Sequence, residues 1–337
     1  MKKRIIFASL LLSAASTAHA QDRQVVEAIA SSLDSKGLLT PQGRFELEPS
    51  FSYGQNTSTR VSILGYSVLP AIIVGLIDVQ DQDLATFTVG LAGRYGLTDR
   101  IELELRAPWV YRYDSYRFRK TEPTVDTRTV TSTGGALGDI EGAIRYQFNM
   151  NTSPYWIGGL RVKSDTGRSP FEEEMDADNI FRRPPTGTGA WSVEPSLTLI
   201  YPTDPAVIFG TAGYTHNFKT RVRSQGSTPP PDAPDPDMTL RQNDEVRLGD
   251  SFFMGMGMGF AVNNRLSFSL GLNHRTVLTS KVNGKKAPGS KMLQLDSLSM
   301  GFSLALTERT TLNMNAQAGL TEDAPDVQVN FSMPIMF

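Results

Sequence analysis

The chain has 337 residues, 33 basic and 35 acidic side chains for a net charge of −2, three histidines and no cysteine. So even a balance offers no footprint for nucleic acid, and the lack of cysteine excludes disulfides, thiolate catalysis and thiolate metal centres. With two histidines beyond the first 20 residues and no glycine-rich phosphate loop between a strand and a helix, no metal site and no cofactor are expected.

The first element is a secretory signal. Met1-Lys2-Lys3-Arg4 precedes an apolar run from Ile5 to about Ala15, and Ala18-His19-Ala20 supplies the small-residue cleavage pattern. Residues 1–20 are therefore expected to be removed. Loss of three of the 33 basic residues leaves 30 against 35 acidic, a net charge of −5. Beyond the signal no stretch reaches the roughly 18 apolar residues of a membrane helix, which excludes an inner-membrane helical bundle. Next, Asp22 to Ser35 reads as a short amphipathic helix with Val26, Ile29 and Leu33 on one stripe, ended by Gly37 and Pro41. Residues 21–42 are thus a periplasmic leader, either loosely ordered or docked at a pore mouth as a plug.

From residue 43 to 337 the pattern changes to period two, the mark of strands with unlike faces. Phe45, Leu47, Phe51 and Tyr53 alternate with Arg44, Glu46, Glu48 and Ser50; Ile101, Leu103, Leu105, Trp109 and Tyr111 alternate with Glu102, Glu104, Arg106 and Arg112. Segments around 87–95, 140–148, 156–163, 191–199, 206–218, 252–260, 266–272, 298–304, 312–318 and 327–337 continue this and bring the number to about twelve. Short turns, such as Leu97-Thr98-Asp99 and Asn263-Asn264, alternate with long polar stretches at about 58–81, 115–136, 165–188, 219–245 and 280–292. Aromatic residues gather at both ends of the apolar faces: Tyr95, Phe148, Trp156, Tyr201 and Phe337 at the short-turn end, Trp109, Tyr111, Trp191 and Tyr214 at the other. Two aromatic bands around an aliphatic zone, an even strand number and unequal connections predict an all-β protein. The expected fold is a closed antiparallel transmembrane β-barrel in the bacterial outer membrane, with lipid against its outer face.

The opposite faces carry the charges. Glu46, Glu48, Glu102, Glu104, Arg106, Asp139, Glu141, Arg145, Arg161, Lys163 and Glu194 are expected to point into the lumen, as a selectivity surface or as a paired network filling a closed barrel. Gly255, Gly257 and Gly259 alternate with Met254, Met256 and Met258 and are expected to give close packing or curvature. No enzyme is expected. His274 falls on the apolar face near the outer end of its strand, where a rim hydrolase would need a hydroxyl and an orienting group beside it, but a lone interfacial histidine is ordinarily an amphipathic surface residue.

Several motifs carry family likenesses. The C-terminal run Asn330-Phe331-Ser332-Met333-Pro334-Ile335-Met336-Phe337 resembles the terminal assembly signal of outer-membrane barrels, which implies the barrel assembly machinery as a partner. Gly319-Leu320-Thr321-Glu322-Asp323-Ala324-Pro325-Asp326, with Leu137-Gly138-Asp139 leading into Tyr146, resembles the broad family of barrels for phenol or aromatic-hydrocarbon passage. Leu39-Thr40-Pro41, Leu47-Glu48-Pro49-Ser50, Gly75-Leu76-Ile77-Asp78-Val79, Arg94-Tyr95-Gly96-Leu97-Thr98 and Thr166-Gly167-Arg168-Ser169-Pro170-Phe171 are similar to the Fap-type functional-amyloid secretion channel. That likeness implies passive export of an unfolded amyloid subunit through a barrel that assembles as a homotrimer. The broader likeness implies the alternative, uptake of aromatic or other small apolar solutes.

Overall fold

The computed structural model describes residues 38–64, 76–120, 126–174, 181–204, 206–223, 242–287 and 290–337. The signal peptide and the leader stripe Val26, Ile29 and Leu33 lie outside the described residues. In chain order the strands are β1 (Phe45–Leu64), β2 (Leu76–Thr98), β3 (Ile101–Lys120), β4 (Asp126–Leu137), β5 (Glu141–Gln147), β6 (Tyr155–Lys163), β7 (Ser192–Pro202), β8 (Ala206–Asn217) and β9 (Lys219–Arg221). They continue with β10 (Glu245–Arg247), β11 (Ser251–Ala261), β12 (Leu266–Val277), β13 (Lys281–Val282), β14 (Lys285–Lys286), β15 (Leu293–Ala305), β16 (Thr311–Gly319), β17 (Val327–Ser332) and β18 (Ile335–Met336).

Two pairs are single staves with a break. β4 and β5 both pair with β3, on its upper and lower halves, and β17 and β18 both pair with β1. The short β9, β10, β13 and β14 form a separate four-stranded sheet. What remains is a ring of twelve staves, each antiparallel to its neighbours, closed where β17 meets β1 with Phe51 opposite Phe331. Closure leaves no ladder edge in lipid, where an unpaired backbone amide has no water to turn to.

Side-chain parity then follows from the register. Val89, Leu91, Leu105, Trp109, Leu160, Leu197, Met256 and Leu298 are exposed on the outside, while their odd-for-even neighbours are buried within. This is an inverted protein, apolar outside and polar inside, as a bilayer solvent demands.

Sequence periodicity misplaces two long outer stretches. The region 115–136, expected to be a loop, holds the upper part of β3 and most of β4, and the region 58–81 contains the ends of the β1–β2 hairpin, paired residue for residue from Ser58↔Gln82 to Leu64↔Leu76. On the β3–β4 extension the outward residues Arg117, Thr129 and Thr131 are exposed and polar while Tyr116 and Ser132 are buried inward, so the apolar outer face disappears while the ladder continues. The stretches at 219–245 and 280–292 supply the small second sheet. It packs with residues 165–174 and 181–191 around a core of Phe171, Phe181, Ala190, Val222, Val246 and Leu248, with Val282 against it. This cap sits at the outer mouth and reaches inward: Ser132 Oγ donates to the Phe181 carbonyl at 2.5 Å and Arg112 Nη1 to that of Pro185 at 3.2 Å.

Candidate functional site

The lumen is the candidate site, and its walls differ. On the β1–β7 side the predicted charges meet. Arg94 on β2 sits between Glu46, Glu48 (2.5 Å) and Glu104 (2.9 Å). Arg145 on β5 bridges Glu102 and Glu104, the latter at 2.7 Å. Arg161 on β6 lies 3.6 Å from Glu141 and 4.0 Å from Glu194, and Arg275 of β12 runs along the wall past Ser251 and Thr215 to lie 3.8 Å from Glu194. Geometry explains the clustering: Glu46, Arg94 and Glu104 are direct cross-strand partners, as are Glu102 and Arg145, so period-two charges on neighbouring staves are forced together. Removing one partner from a buried network costs about 3–5 kcal/mol, because the other charges stay desolvated.

Arg106 is half-buried, opposite Glu141 in the register and beside Gly90. Asp139 and Lys163 are buried but serve the outer loop: Asp139 Oδ2 accepts from Lys163 Nζ (2.8 Å) and Thr188 N (2.9 Å), and Oδ1 from Gly167 N (3.0 Å). They pin the 165–190 segment over the barrel. Thus the structure brings Glu46, Glu48, Glu102, Glu104, Glu141, Arg145, Arg161 and Glu194 into one inner network and sets Asp139 and Lys163 apart from it.

Apart from Arg275, the opposite wall is lined by neutral side chains. Ser269, Ser297, Ser299, Ser303, Asn313, Gln317, Gln328 and Asn330 are buried on the inner faces of β12, β15, β16 and β17. Asn273 Nδ2, Asn313 Nδ2 and Gln317 Oε1 have no protein partner, so lumen water or a polar solute is their natural counterpart.

Two inner features were not legible in the sequence. Ile157, Ile200, Val207 and Phe209 form an apolar cluster at the periplasmic end of β6–β8, and Leu38 and Leu39 pack on it. The segment 38–43 therefore crosses the mouth, for it is tied on the other side by Gly43 N to the Gly96 carbonyl (2.8 Å) and by Thr40, whose N and Oγ1 both donate to Glu102 Oε2 at 2.8 Å. Phe209 and Phe253 lie inward because glycine faces them. A Cβ on Gly257 would stand 2.4 Å from the Phe209 ring and one on Gly213 2.3 Å from that of Phe253. A glycine opposite an off-pattern phenylalanine was the available signal.

In the outer half, above the charges, a small open-mouthed cavity lies between β1, β2, β3 and β17. Leu84, Pro325, Thr86 and Thr88 give it apolar surface; Asn56, Arg112 and Gln328 give it polar groups.

A family model described as a putative MetA-pathway of phenol degradation matches residues 37–337, the whole barrel. The chain belongs to that family. Among solved structures, an outer membrane channel from Pseudomonas putida F1 overlays with a TM-score of 0.56 at 12% identity, covering 88% of this chain and 97% of that one. A toluene transporter from Ralstonia pickettii overlays at 0.38, with 11% identity over 93% and 97% of the two chains. The β domain of a Bordetella autotransporter does so at 0.42, with 12% identity over 87% and 99%. The first overlay fixes the fold as that of an outer-membrane channel barrel, and with the closed sheet and apolar outer face it places this member of the phenol-degradation family in the bacterial outer membrane. The family likeness read from Gly319–Asp326 and Leu137-Gly138-Asp139 agrees with this membership.

Proposed function

We propose that the protein is an inward channel for small amphipathic solutes, with hydroxylated aromatics the preferred class. The observation that carries this reading is the cavity in the outer half of the lumen. A phenol-sized ring at its open mouth would meet Leu84, Pro325 and the threonine methyls, while Asn56, Arg112 and Gln328 offer partners to its hydroxyl. Below it the paired charges form a polar path, and the 38–43 segment across the periplasmic mouth acts as a plug that must move for passage. In this reading Glu46, Glu48, Glu102, Glu104, Glu141, Arg145, Arg161 and Glu194 set ion preference along that path. The family description, which names phenol degradation, supports the same solute class.

Export of an unfolded amyloid subunit is the second reading, favoured by the charged, glycine-containing lumen. Against it stand the lumen ion pairs: Arg94, Arg145 and Arg161 are buried among Glu46, Glu48, Glu102, Glu104, Glu141 and Glu194, and a polypeptide in transit would have to displace them. A homotrimer and a secreted amyloid partner belong to that reading alone.

Titration calorimetry and single-channel recording on the purified protein separate the two. Saturable heat with phenol and, during the openings, current blockade from the outer side, both lost in Leu84→Asp, are expected. No heat and no blockade by phenol, with blockade by an unfolded glycine-rich polypeptide, would overturn uptake in favour of export.

A further inference from the structure

Three side chains on the lipid-facing surface form an arrangement that conduction does not use. His274 and Thr276 are two residues apart on β12 and so share its outer face, and Asp296 on β15 is registered directly opposite His274. The imidazole joins the other two: Nδ1 lies 2.5 Å from Asp296 Oδ1 and Nε2 2.9 Å from Thr276 Oγ1. With the ring proton on Nδ1 and donated to the carboxylate, Nε2 is the acceptor of the threonine hydroxyl. This is the hydroxyl–imidazole–carboxylate relay, which is recognised by geometry rather than by fold.

The surroundings suit one kind of substrate. Gln294 is registered opposite Thr276 and exposed, bringing a side-chain amide donor to the same face. Phe252 and Met254, the β11 partners of Thr276 and His274, are exposed apolar residues, and Leu272 lies exposed one outward position below His274. The three relay groups are only partly exposed, at the strand ends nearest the outer mouth, level with the outer aromatic band. An acyl chain lying along Phe252, Met254 and Leu272 therefore presents its ester linkage, at the membrane–water boundary, to Thr276.

We propose that Thr276, His274 and Asp296 form an esterase site for acyl esters of lipids in the outer leaflet. Thr276 Oγ bonds to the ester carbonyl carbon as its proton passes to His274 Nε2. The ester C–O bond then breaks, and the departing alcohol takes that proton. Water adds to the acyl-threonine with His274 as base, which releases the carboxylic acid and restores the hydroxyl. Asp296 holds the ring and its charge, and Gln294 faces the carbonyl oxygen. The site is on the outer surface of the wall and is independent of the lumen reading, so either can fail alone.

The test uses the full mature chain in mixed detergent–phosphatidylethanolamine micelles with labelled acyl chains. Wild type is expected to release fatty acid, His274→Ala and Thr276→Val to fall by at least about 100-fold, and Thr276→Ser to retain turnover. An alkyl fluorophosphonate should label the tryptic peptide containing Thr276. Folding of each variant is read from unchanged single-channel conductance, and should His274→Ala not assemble, the near-isosteric Thr276→Val decides. Wild-type release no greater than in protein-free micelles, or equal release by the Thr276→Val preparation, overturns the proposal.

Discussion

Consider a channel in which Leu38 and Leu39 become serine and Thr40 becomes valine. The valine removes the Oγ1 bond to Glu102 while the backbone bond from residue 40 stays. A hydrogen bond to a charged group contributes about 1.5–3 kcal/mol. The leucines are half-buried on the Ile157–Phe209 cluster, so each forfeits about half of the roughly 1.5–3 kcal/mol of full burial. Together the three changes weaken seating of the segment by roughly 3–6 kcal/mol, a factor of about 10² to 10⁴ between seated and displaced states. Planar-bilayer recording reads that ratio directly. Wild type is expected to dwell closed with rare openings, and the triple variant to conduct steadily. Superimposable traces from a variant whose circular dichroism matches wild type would refute the claim that residues 38–43 close the mouth.

Arg94→Gln leaves Glu46, Glu48 and Glu104 facing one another without their shared cation, so unfolding should ease by about 3–5 kcal/mol and the reversal potential in a salt gradient should move toward cation preference. Gly257→Val drives a side chain into the Phe209 ring and the Leu270 carbonyl; overpacking of about 1–3 kcal/mol should appear as a lower temperature in heat-modifiable gel migration. Asp250, at the base of the cap, gives a pH signature. Partial burial acts to raise its carboxyl, but the Asn217 N–H, the Tyr214 hydroxyl, Arg247 and His216 outweigh burial and hold it below the ordinary value. A depressed folded-state pKa means the contribution is present above the unfolded value near about 3.9 and is lost as pH falls through the lower folded value. Amide exchange at Asn217 should therefore stay slow at pH 5 and rise only below about pH 4, and Asp250→Asn should exchange fast at both.

How much of this was legible depends on which solvent each face meets. Within the bilayer the two faces of a stave meet lipid and lumen, and the contrast prints itself as period two; hence Leu103/Glu104 and Leu160/Arg161 give both the strand and its orientation. On the upper part of β3 and on β4, Arg117, Thr129 and Thr131 are exposed while Tyr116 and Ser132 are buried inward, so no apolar outer face marks the period, and the ladder hydrogen bonds that define these segments leave no mark in residue type. The cap strands are two or three residues long and owe their form to the Phe171–Val246 core, a contact between segments some 75 positions apart. Local reading cannot see such a contact. The lumen charges could be named from parity, but who pairs with whom needed the register, and so did the difference between Asp139, which anchors a loop, and Glu141 two residues on, which faces the bore. In the sequence His274 stands as a lone interfacial residue; Thr276 is near, but Asp296 joins them only because β12 and β15 are neighbours.

The two unlike walls of the lumen have an electrical consequence. Six carboxylates and three guanidinium groups cluster on the β1–β7 side of the bore, joined by Arg275 reaching in from β12, and face serine and amide groups on the other side. A solute on the axis therefore experiences a field directed across the channel rather than along it, strengthened by the low dielectric of the surrounding wall. A uniformly charged ring would merely filter by sign, whereas a transverse field aligns dipoles. A phenol descending this bore would travel with its hydroxyl turned to the β1–β7 wall and its ring to the amides, entering the periplasmic half in a single orientation.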